Sequence, residues 1–235
     1  MTELQYTAFE RLAMQRPVQR VAYLTECCRG RVVLDLGCYD ETALSKVGSG
    51  NWLHEELASV ARSTLGIDAS SALPEDGLRT GPSSTIIRGD VTRLESLVPP
   101  GFAPDVVVAG ELIEHLQDAL SFLCQIKTLF DGREFLASTP NATSLSSVVL
   151  ACGAREPSHQ DHLQIYSYKT LTTLCRRANF SDWTIIPYHA SYPEMVLRNT
   201  GLRRTLARAA ESAAAIAETL FPFLSFGLIL HVRRI

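Results

Sequence analysis

Cysteine pairs of the kind that hold disulfides or metal ions are missing from this sequence. It contains six cysteines in 235 residues, and none of them forms a C-x-x-C pair. Several lie within periodic apolar segments, where cysteine behaves as a small buried hydrophobic residue. Residues 1–9 carry acidic and polar groups in place of the basic start and apolar run of a signal peptide. We therefore expect reduced thiols and a cytoplasmic location.

Long apolar runs and an excess of charge are also lacking. The most apolar stretch near the C-terminus, residues 220–230, is too short to span a bilayer and contains Pro222. A net charge of −3 does not indicate a protein that binds nucleic acid over its whole surface, although it allows a local basic surface. The length, with 46% hydrophobic and 20% charged residues, fits one large α/β domain that folds without disulfides or metals.

Short β-branched or aliphatic runs alternate with amphipathic helical patterns along most of the chain. This alternation predicts an α/β fold with a mainly parallel sheet and helices on both faces. The predicted strands are residues 31–36, 64–68, 85–88, 105–109, 134–139, 182–188 and 226–234. Helices are predicted over residues 4–26 and 194–219, and around the apolar positions of residues 116–130 and 171–178.

Repeats and low-complexity linkers do not interrupt this pattern, so we expect a single domain. Its predicted parts are a helical cap, a cofactor-binding core, a helical insertion and a last strand, at residues 1–29, 30–190, 191–220 and 221–235.

The sharpest motif is a buried strand that ends in an acid and a glycine, residues 32–40, VVLDLGCYD. Gly37 lets the backbone approach a bound ligand closely, and a helix start after it offers free N–H donors. The end of the first strand is also the expected ligand crevice of an open parallel sheet. The loop lacks G-x-G-x-x-G, which disfavours a nicotinamide cofactor.

This run resembles the first motif of class I S-adenosylmethionine-dependent methyltransferases, whose pattern is D-x-G-x-G. The resemblance continues in order through Gly66-Ile67-Asp68, Gly89-Asp90-Val91 and residues 104–116, PDVVVAGELIEHL. It implies a seven-stranded Rossmann-like sheet with an antiparallel last strand, and S-adenosylmethionine as cofactor. The cofactor-binding residues that it implies are Asp35, Gly37, Asp68, Asp90, Val91, Gly110 and Glu111, with Gly37 beside the amino acid portion, Asp68 beside the ribose and Asp90 beside the adenine.

Two departures from the family pattern concern the same segment. The second glycine of the motif is replaced, leaving Gly37-Cys38-Tyr39-Asp40. The segment from Gly37 to Asp68 is also longer than the spacing of about 20 residues in dinucleotide folds. We expect its extra length, which includes residues 51–54, to form an added helix near the pocket.

Acidic and histidine residues follow the predicted strand at residues 105–109. Glu111, Glu114 and His115 share one face of a helical turn because they lie three and four positions apart. His162 belongs to a long loop, residues 140–165, which ends at the same edge of the sheet. A hydroxyl acceptor needs either a base or a metal ion that acidifies it.

Two interpretations of this set remain open. Glu111, Glu114, His115 and His162 form a mixed nitrogen and oxygen set suited to a divalent metal ion. The E-x-x-E-H string followed by D-H resembles metal-dependent 2′-O-methyltransferases of small RNAs, and similar strings look like those of ubiquinone-pathway O-methyltransferases. In the other interpretation, His115 or His162 is the catalytic base. The histidines assigned only structural roles are His54, His189 and His231.

The predicted function is S-adenosylmethionine-dependent O-methylation of a small molecule or glycan, such as a secondary metabolite or a surface polysaccharide precursor. The alternatives are a metal-dependent RNA 2′-O-methyltransferase and a non-catalytic cofactor-binding module. The sequence shows no separate RNA-binding domain and no interleaved aromatic and basic residues, which disfavours nucleic acid. The predicted helix at residues 194–219 is rich in arginine, which indicates a solvated face or a phosphate or lipid headgroup contact; its arginines are Arg198, Arg203, Arg204 and Arg208.

Overall fold

The computed structural model describes residues 10–39, 42–191, 196 and 199–235, and these build one eight-stranded sheet. The spatial order of the strands is β3-β4-β2-β1-β5-β6-β8-β7. In chain order the strands are β1 (Val32–Leu36), β2 (Ser63–Asp68), β3 (Leu78–Gly81), β4 (Ser84–Arg88), β5 (Val106–Gly110), β6 (Glu134–Pro140), β7 (Asp182–Tyr188) and β8 (Gly227–Arg234).

The strand order reverses between β1 and β5. From β1 the chain moves outward through β2 and β4, whereas β5 and β6 lie on the other side of β1, all in parallel. Among the described strands, β3 and β8 run in the direction opposite to the other six. A crevice opens at such a reversal, at the carboxyl ends of the strands, and this is where open α/β sheets bind ligands.

Helices cover both faces of the sheet and bury its branched side chains. The helices α1 and α3 pack on one face around Leu24 and Leu57, and α4 and α6 pack on the other around Leu123 and Leu171. The described helices are α1 (Arg20–Cys28), α2 (Ala43–Lys46), α3 (Leu53–Val60), α4 (Ala119–Leu129), α5 (Leu145–Cys152), α6 (Tyr168–Arg177) and α7 (Gly201–Leu220). No helix in the described ranges combines the length and apolarity needed to cross a membrane.

The predicted α/β fold is confirmed, but the sheet has eight strands where seven were expected. The additional strand is β3, which forms an antiparallel hairpin with β4. Its four residues, LRTG, show no run of apolar side chains and no alternation of buried and exposed positions. The sequence therefore lacked the periodic signal that identifies a strand.

The helical segments at the two ends of the chain are shorter than predicted in the described ranges. The first helix begins at Arg20, and Val18 instead forms a bridge to Tyr188 at the sheet edge. Pro17, which has no backbone N–H to donate, directly precedes this bridge. The helix predicted at residues 194–219 is described from Gly201 to Leu220, whereas Arg198 and residues 1–9 lie outside the described residues.

Gly227 gives a test of how β7 and β8 pack. A Cβ atom at this position would overlap the ring of Tyr188 on the neighbouring strand. We expect Gly227→Ala to destabilise the protein by about 1–3 kcal/mol, because an added methyl group in a packed core forces side chains off their rotamers. Urea unfolding followed by circular dichroism measures this change.

Gly153→Ala is the matched control, because a Cβ atom there meets only Leu150 O at 3.5 Å, an ordinary contact. Its effect should stay within about 0.5 kcal/mol. Equal unfolding midpoints for Gly227→Ala and the unchanged protein would contradict the packing described for Tyr188.

Candidate functional site

A crevice of about 950 Å³ lies where the strand order reverses, a volume in the range of small-molecule sites. It extends from the ends of β1 and β2 to the loop that follows β6. The predicted site residues that line it are Asp35, Gly37, Asp68, Gly110, Glu111, His115 and His162.

Gly37 forms the turn at the end of β1. Its φ is 66°, in the left-handed region that glycine adopts without a steric cost. A Cβ atom there would lie 2.6 Å from Leu112 Cδ1, so a side chain could not be accommodated without movement. The turn therefore keeps the backbone bare at the centre of the crevice.

Asp68 ends β2 with its carboxylate held in place by two backbone amides. Tyr39 N donates to Asp68 Oδ2 at 2.8 Å, and Ser70 N donates to Oδ1 at 2.8 Å. Tyr39 thus occupies the position of the missing second glycine and uses its amide to orient the acid. A carboxylate oxygen can accept more than one hydrogen bond, so these two amides do not prevent Asp68 from also facing a ligand hydroxyl in the crevice.

Asp35 is fully enclosed, and its partner is a histidine that the sequence analysis treated as purely structural. His54 Nδ1 lies 2.9 Å from Asp35 Oδ2, and His54 Nε2 lies 2.9 Å from Thr80 Oγ1 on β3. The segment inserted between Gly37 and Asp68 supplies this histidine from α3, so the predicted added helix does reach the pocket. The only sequence signal for this role was the length of the inserted segment.

Asp90 does not line the crevice. Its exposed carboxylate accepts hydrogen bonds from Thr92 N at 2.9 Å and Thr92 Oγ1 at 2.7 Å, and caps the short 3-10 helix Val91–Ser96. These hydrogen bonds lower the pKa of Asp90 below its ordinary value. Val91 is buried at the start of the same helix. Contact of either residue with an adenine ring stays a prediction.

Glu111 takes a left-handed conformation at the end of β5, with a φ of 54°. Its amide donates to Ser138 O at 3.0 Å, and its carboxylate accepts a hydrogen bond from the Tyr188 hydroxyl at 2.8 Å. Non-glycine residues rarely adopt this conformation, and those that do cluster at functional sites. The sequence did not indicate Tyr188 as a partner, because the two residues are 77 positions apart.

Glu114 is fully buried in the 3-10 turn that follows, Ile113–His115. Neither carboxylate oxygen has a hydrogen bond of regular geometry among the described residues, although the Thr139 hydroxyl lies near enough to Glu114 to offset part of the rise in its pKa. Burial, and secondarily the charge of Glu111, raise the pKa of Glu114 to about 9. An unpaired buried carboxyl group of this kind is rare, because burial without a partner is costly.

His115 and His162 lie next to this carboxyl group. Their rings meet edge to face with centroids 4.6 Å apart, and the ligand atoms of Glu114, His115 and His162 all lie within 4.8 Å of one another. We call these three residues the Glu-His-His cluster. Glu111, which was predicted as a fourth metal ligand, is not part of it.

The loop at residues 140–165 folds inward and brings His162 to the crevice. It docks on the 3-10 turn because Leu163 N and Gln164 N both donate to Glu114 O, at 2.9 and 3.2 Å. The loop also contains α5, which the sequence pattern did not predict.

The imidazole of His115 is oriented by the same loop, since its Nδ1 lies 3.2 Å from Asp161 O. A carbonyl oxygen only accepts hydrogen bonds, so Nδ1 carries the proton and Nε2 is left with a lone pair. Burial and the charge of His115 lower the pKa of His162 below its ordinary value. A lowered pKa favours the neutral His162 imidazole, the form in which histidine binds metal ions or accepts a proton.

A second cavity of about 660 Å³ adjoins the crevice along α1 and α3. The two share Arg20, Glu111 and Phe226. Arg20 Nη1 donates to Ser138 Oγ at 3.2 Å, and its guanidinium lies 6.0 Å from the centre of the Tyr188 ring. Sequence reasoning missed this residue, because a single arginine near a helix start carries no distinctive pattern.

Residues 6–185 match a family model described as a methyltransferase domain. The chain belongs to this methyltransferase family. Over 186 residues it is 31% identical to a probable S-adenosylmethionine-dependent methyltransferase of Mycolicibacterium smegmatis, covering 78% of this chain and 64% of that protein. It is also 31% identical over 128 residues to a ubiquinone biosynthesis O-methyltransferase of Dinoroseobacter shibae, covering 54% of this chain and 48% of that protein.

The methyltransferase chain thus spans less than two thirds of the length of these two curated relatives. Among solved structures it is similar to the small RNA methyltransferase HEN1, with a TM-score of 0.59 and 14% identity. That match covers 96% of this chain and 27% of the other. It shows a shared fold. S-adenosylmethionine is the cofactor of this family.

Asp68 gives a test of where this cofactor lies. We expect Asp68→Asn to weaken the binding of S-adenosylhomocysteine by about 1.5–3 kcal/mol, because a charged acceptor facing the ribose hydroxyls is replaced by a neutral one. Isothermal titration calorimetry measures the change.

The matched control is Asp131→Asn, which makes the same replacement at an exposed position just before β6. This position lies at the amino ends of the parallel strands, away from the crevice at their carboxyl ends. Circular dichroism confirms that both variants are folded. Unchanged affinity in a folded Asp68→Asn protein would remove Asp68 from the site.

Proposed function

We propose that the protein is an O-methyltransferase that transfers the methyl group of S-adenosylmethionine to a hydroxyl of a small molecule or glycan. We further propose that Glu114, His115 and His162 hold a divalent metal ion beside the acceptor. The observation that carries this proposal is the buried Glu114 carboxyl group, which has no hydrogen bond of regular geometry among the described residues and lies next to the imidazoles of His115 and His162. The D. shibae relative, whose name specifies an O-methyltransferase, supports oxygen as the acceptor atom.

The chemistry of the cluster explains why a cation would bind there. One carboxylate and two imidazole nitrogens are the ligands that zinc, manganese and iron accept. A divalent ion supplies a Lewis acid that lowers the pKa of a bound hydroxyl. Without a cation Glu114 is protonated at neutral pH, because burial has raised its pKa to about 9. A hydrogen bond from His115 Nδ1 to Asp161 O would fix the orientation of the ring and leave Nε2 as the nitrogen that could bind a cation.

The crevice supplies the binding and alignment that methyl transfer requires. In this proposal Gly37 lies beside the amino acid portion of the cofactor, and Asp68 accepts hydrogen bonds from the ribose. Gly110 and Glu111 line the wall next to the transferred methyl group. In-line displacement depends on holding nucleophile and methyl group in one geometry, so these contacts contribute to the rate as well as to affinity.

The acceptor has space in the second cavity. This cavity meets the crevice at Arg20 and Glu111, and it is lined by further polar groups such as Asn51 and His189. Such groups suit the hydroxyls of a sugar or small alcohol.

The described cysteines are all free, and on that basis we propose a cytoplasmic location.

Metal dependence is the first test of this proposal. We expect chelation to abolish methyl transfer while changing the affinity for S-adenosylhomocysteine less than about twofold, because the cluster lies beside the cofactor residues and not among them. Re-addition of manganese or zinc should restore turnover. Glu114→Gln should fold and should not be restored by metal, whereas Glu156→Gln, an exposed change in the same loop, should behave as the unchanged protein.

Full activity after chelation would contradict the metal-dependent mechanism. If that activity then fell at low pH and was lost in His162→Gln, the imidazole would be identified as the base instead.

The class of acceptor is the second test. We expect radiolabel from S-adenosylmethionine to enter a pool of glycans or small alcohols. The rate should change little between about 50 and 200 mM salt, because a neutral acceptor releases no counterions when it binds. An RNA held through several phosphates would lose affinity with a log–log slope near −0.7 per contact. Asp68→Asn serves as the protein control with weakened cofactor binding.

RNA 2′-O-methylation is the alternative, because the Glu-His-His cluster would serve it equally and the HEN1 structure shares the fold. Turnover of an oligoribonucleotide with no reaction in any glycan pool would overturn the leading proposal. Binding of the cofactor with no turnover of any acceptor would favour a non-catalytic module.

A further inference from the structure

The long helix α7 exposes its large apolar side chains to solvent. Leu202, Leu206, Ile216 and Leu220 are 75%, 58%, 65% and 68% exposed. On the opposite side of the helix, Ala207 and Glu218 are buried against the rest of the protein. The helix therefore places small and acidic side chains inward and aliphatic side chains outward, the reverse of an ordinary surface helix.

A buried polar contact fixes this orientation. Glu218 Oε2 lies 2.9 Å from His189 Nδ1 and accepts a hydrogen bond from Ala190 N at 3.1 Å. Glu218 is 1% exposed, so rotating the helix to bury its leucines would expose and break this contact. The apolar side is thus held outward.

The exposed apolar residues form a regular row, which we call the outer row: Leu202, Leu206, Ala209, Ala213, Ile216 and Leu220. Their spacing alternates between four and three positions, the repeat of a coiled-coil contact line. Every member is exposed. A row with this spacing matches the surface of another helix.

The outer row is also symmetric about its midpoint at Glu211. Leu202 and Leu220 are equally far from it, as are Leu206 and Ile216, and Ala209 and Ala213. An antiparallel copy of the helix would therefore set large residues against large ones and alanine against alanine. This self-complementarity is what a twofold interface between identical subunits requires.

Charge favours the same direction. The cations of α7 lie in its first half, at Arg203, Arg204 and Arg208, whereas residues 209–220 contain only acidic charged groups. A parallel pair would bring the arginines of both copies together. An antiparallel pair separates them and opposes the two helix dipoles.

The area of the outer row is sufficient for a specific contact. A helix of 20 residues is about 30 Å long. Each large aliphatic side chain removes roughly 100 Å² from water when buried, so the eight such side chains of two copies, with the four alanines between them, give about 1,000 Å². Specific interfaces begin near about 1,000 Å² in total.

We propose that the protein forms a twofold-symmetric homodimer in which α7 of each copy pairs antiparallel through the outer row. The interface does not depend on the proposed reaction or on the metal ion.

Sedimentation equilibrium of the full chain measures the mass directly. The unchanged protein should show twice the chain mass. Leu206→Glu and Ile216→Glu should each weaken association about a hundredfold or more, because every substitution places two desolvated charges in the interface. Thr219→Glu is the matched control, since it adds the same charge at an exposed position about 100° from the outer row, and it should remain dimeric. Leu206 and Ile216 are exposed in the single chain, so circular dichroism should show that all of the variants are folded.

Cysteine cross-linking tests the antiparallel direction independently. In a background where the exposed Cys124 and Cys152 are replaced by serine, Leu202→Cys and Leu220→Cys proteins are prepared separately. Mixing them under oxidising conditions should give a disulfide-linked pair, whereas Leu202→Cys alone should not cross-link, because its two copies would lie about 27 Å apart along the helix axis.

Three outcomes would overturn the proposal. One is a monomer at every concentration tested, and another is efficient cross-linking of Leu202→Cys with itself, which indicates a parallel pair. The third is a monomer that sediments with vesicles of phosphatidylcholine and phosphatidylserine and loses this binding in Leu206→Glu, which would assign the outer row to a lipid surface.

Discussion

The backbone of Glu111 turns left-handed where β5 ends, and its amide is tied to Ser138 on the neighbouring strand β6. This turn ends the strand and starts the 3-10 helix that holds Glu114. The carbonyl oxygen of Glu114 then receives the amides of Leu163 and Gln164, which docks the long loop over the crevice. The position of the loop, and with it that of His162, therefore depends on one unusual backbone conformation.

The same turn brings several ionisable groups together in a partly buried region, where water weakens their interactions less than at the surface. Arg20, Glu111 and Glu114 lie close enough to influence one another, and the Tyr188 hydroxyl donates to Glu111. Burial and the charge of Glu111 raise the pKa of Tyr188 well above its ordinary value, so it remains a donor at neutral pH. The two neighbouring carboxyl groups differ in environment: Glu111 is half-buried and hydrogen-bonded, whereas Glu114 is fully buried and has no hydrogen bond of regular geometry among the described residues.

Most strands were predictable because a strand buried on both faces appears in the sequence as a short continuous run of apolar residues. Runs such as residues 106–109, with every side chain buried, read as apolar segments, and Gly37 carries the signature of a tight turn. Glu114 and His115 could be placed at the carboxyl ends of the strands from topology alone, whereas the position of His162 depends on how the long loop folds. Residues with non-local partners were not predictable: His54 depends on Asp35 and Thr80, and Glu111 on Tyr188. No sequence window contains both members of those pairs, and β3 was missed for want of any apolar period.

The hydrogen bond between His54 and Thr80 connects the edge hairpin to Asp35, the acid that lines the crevice. Opening of β3 therefore removes a partner from the histidine that holds Asp35, which lies on β1, the fourth strand counted from this edge of the sheet. A ligand that binds only when Asp35 is held in place must, by thermodynamic linkage, also stabilise the closed hairpin. The amide protons of β3 would then exchange with solvent more slowly whenever the crevice is filled, and a strand that touches no ligand would report its occupancy.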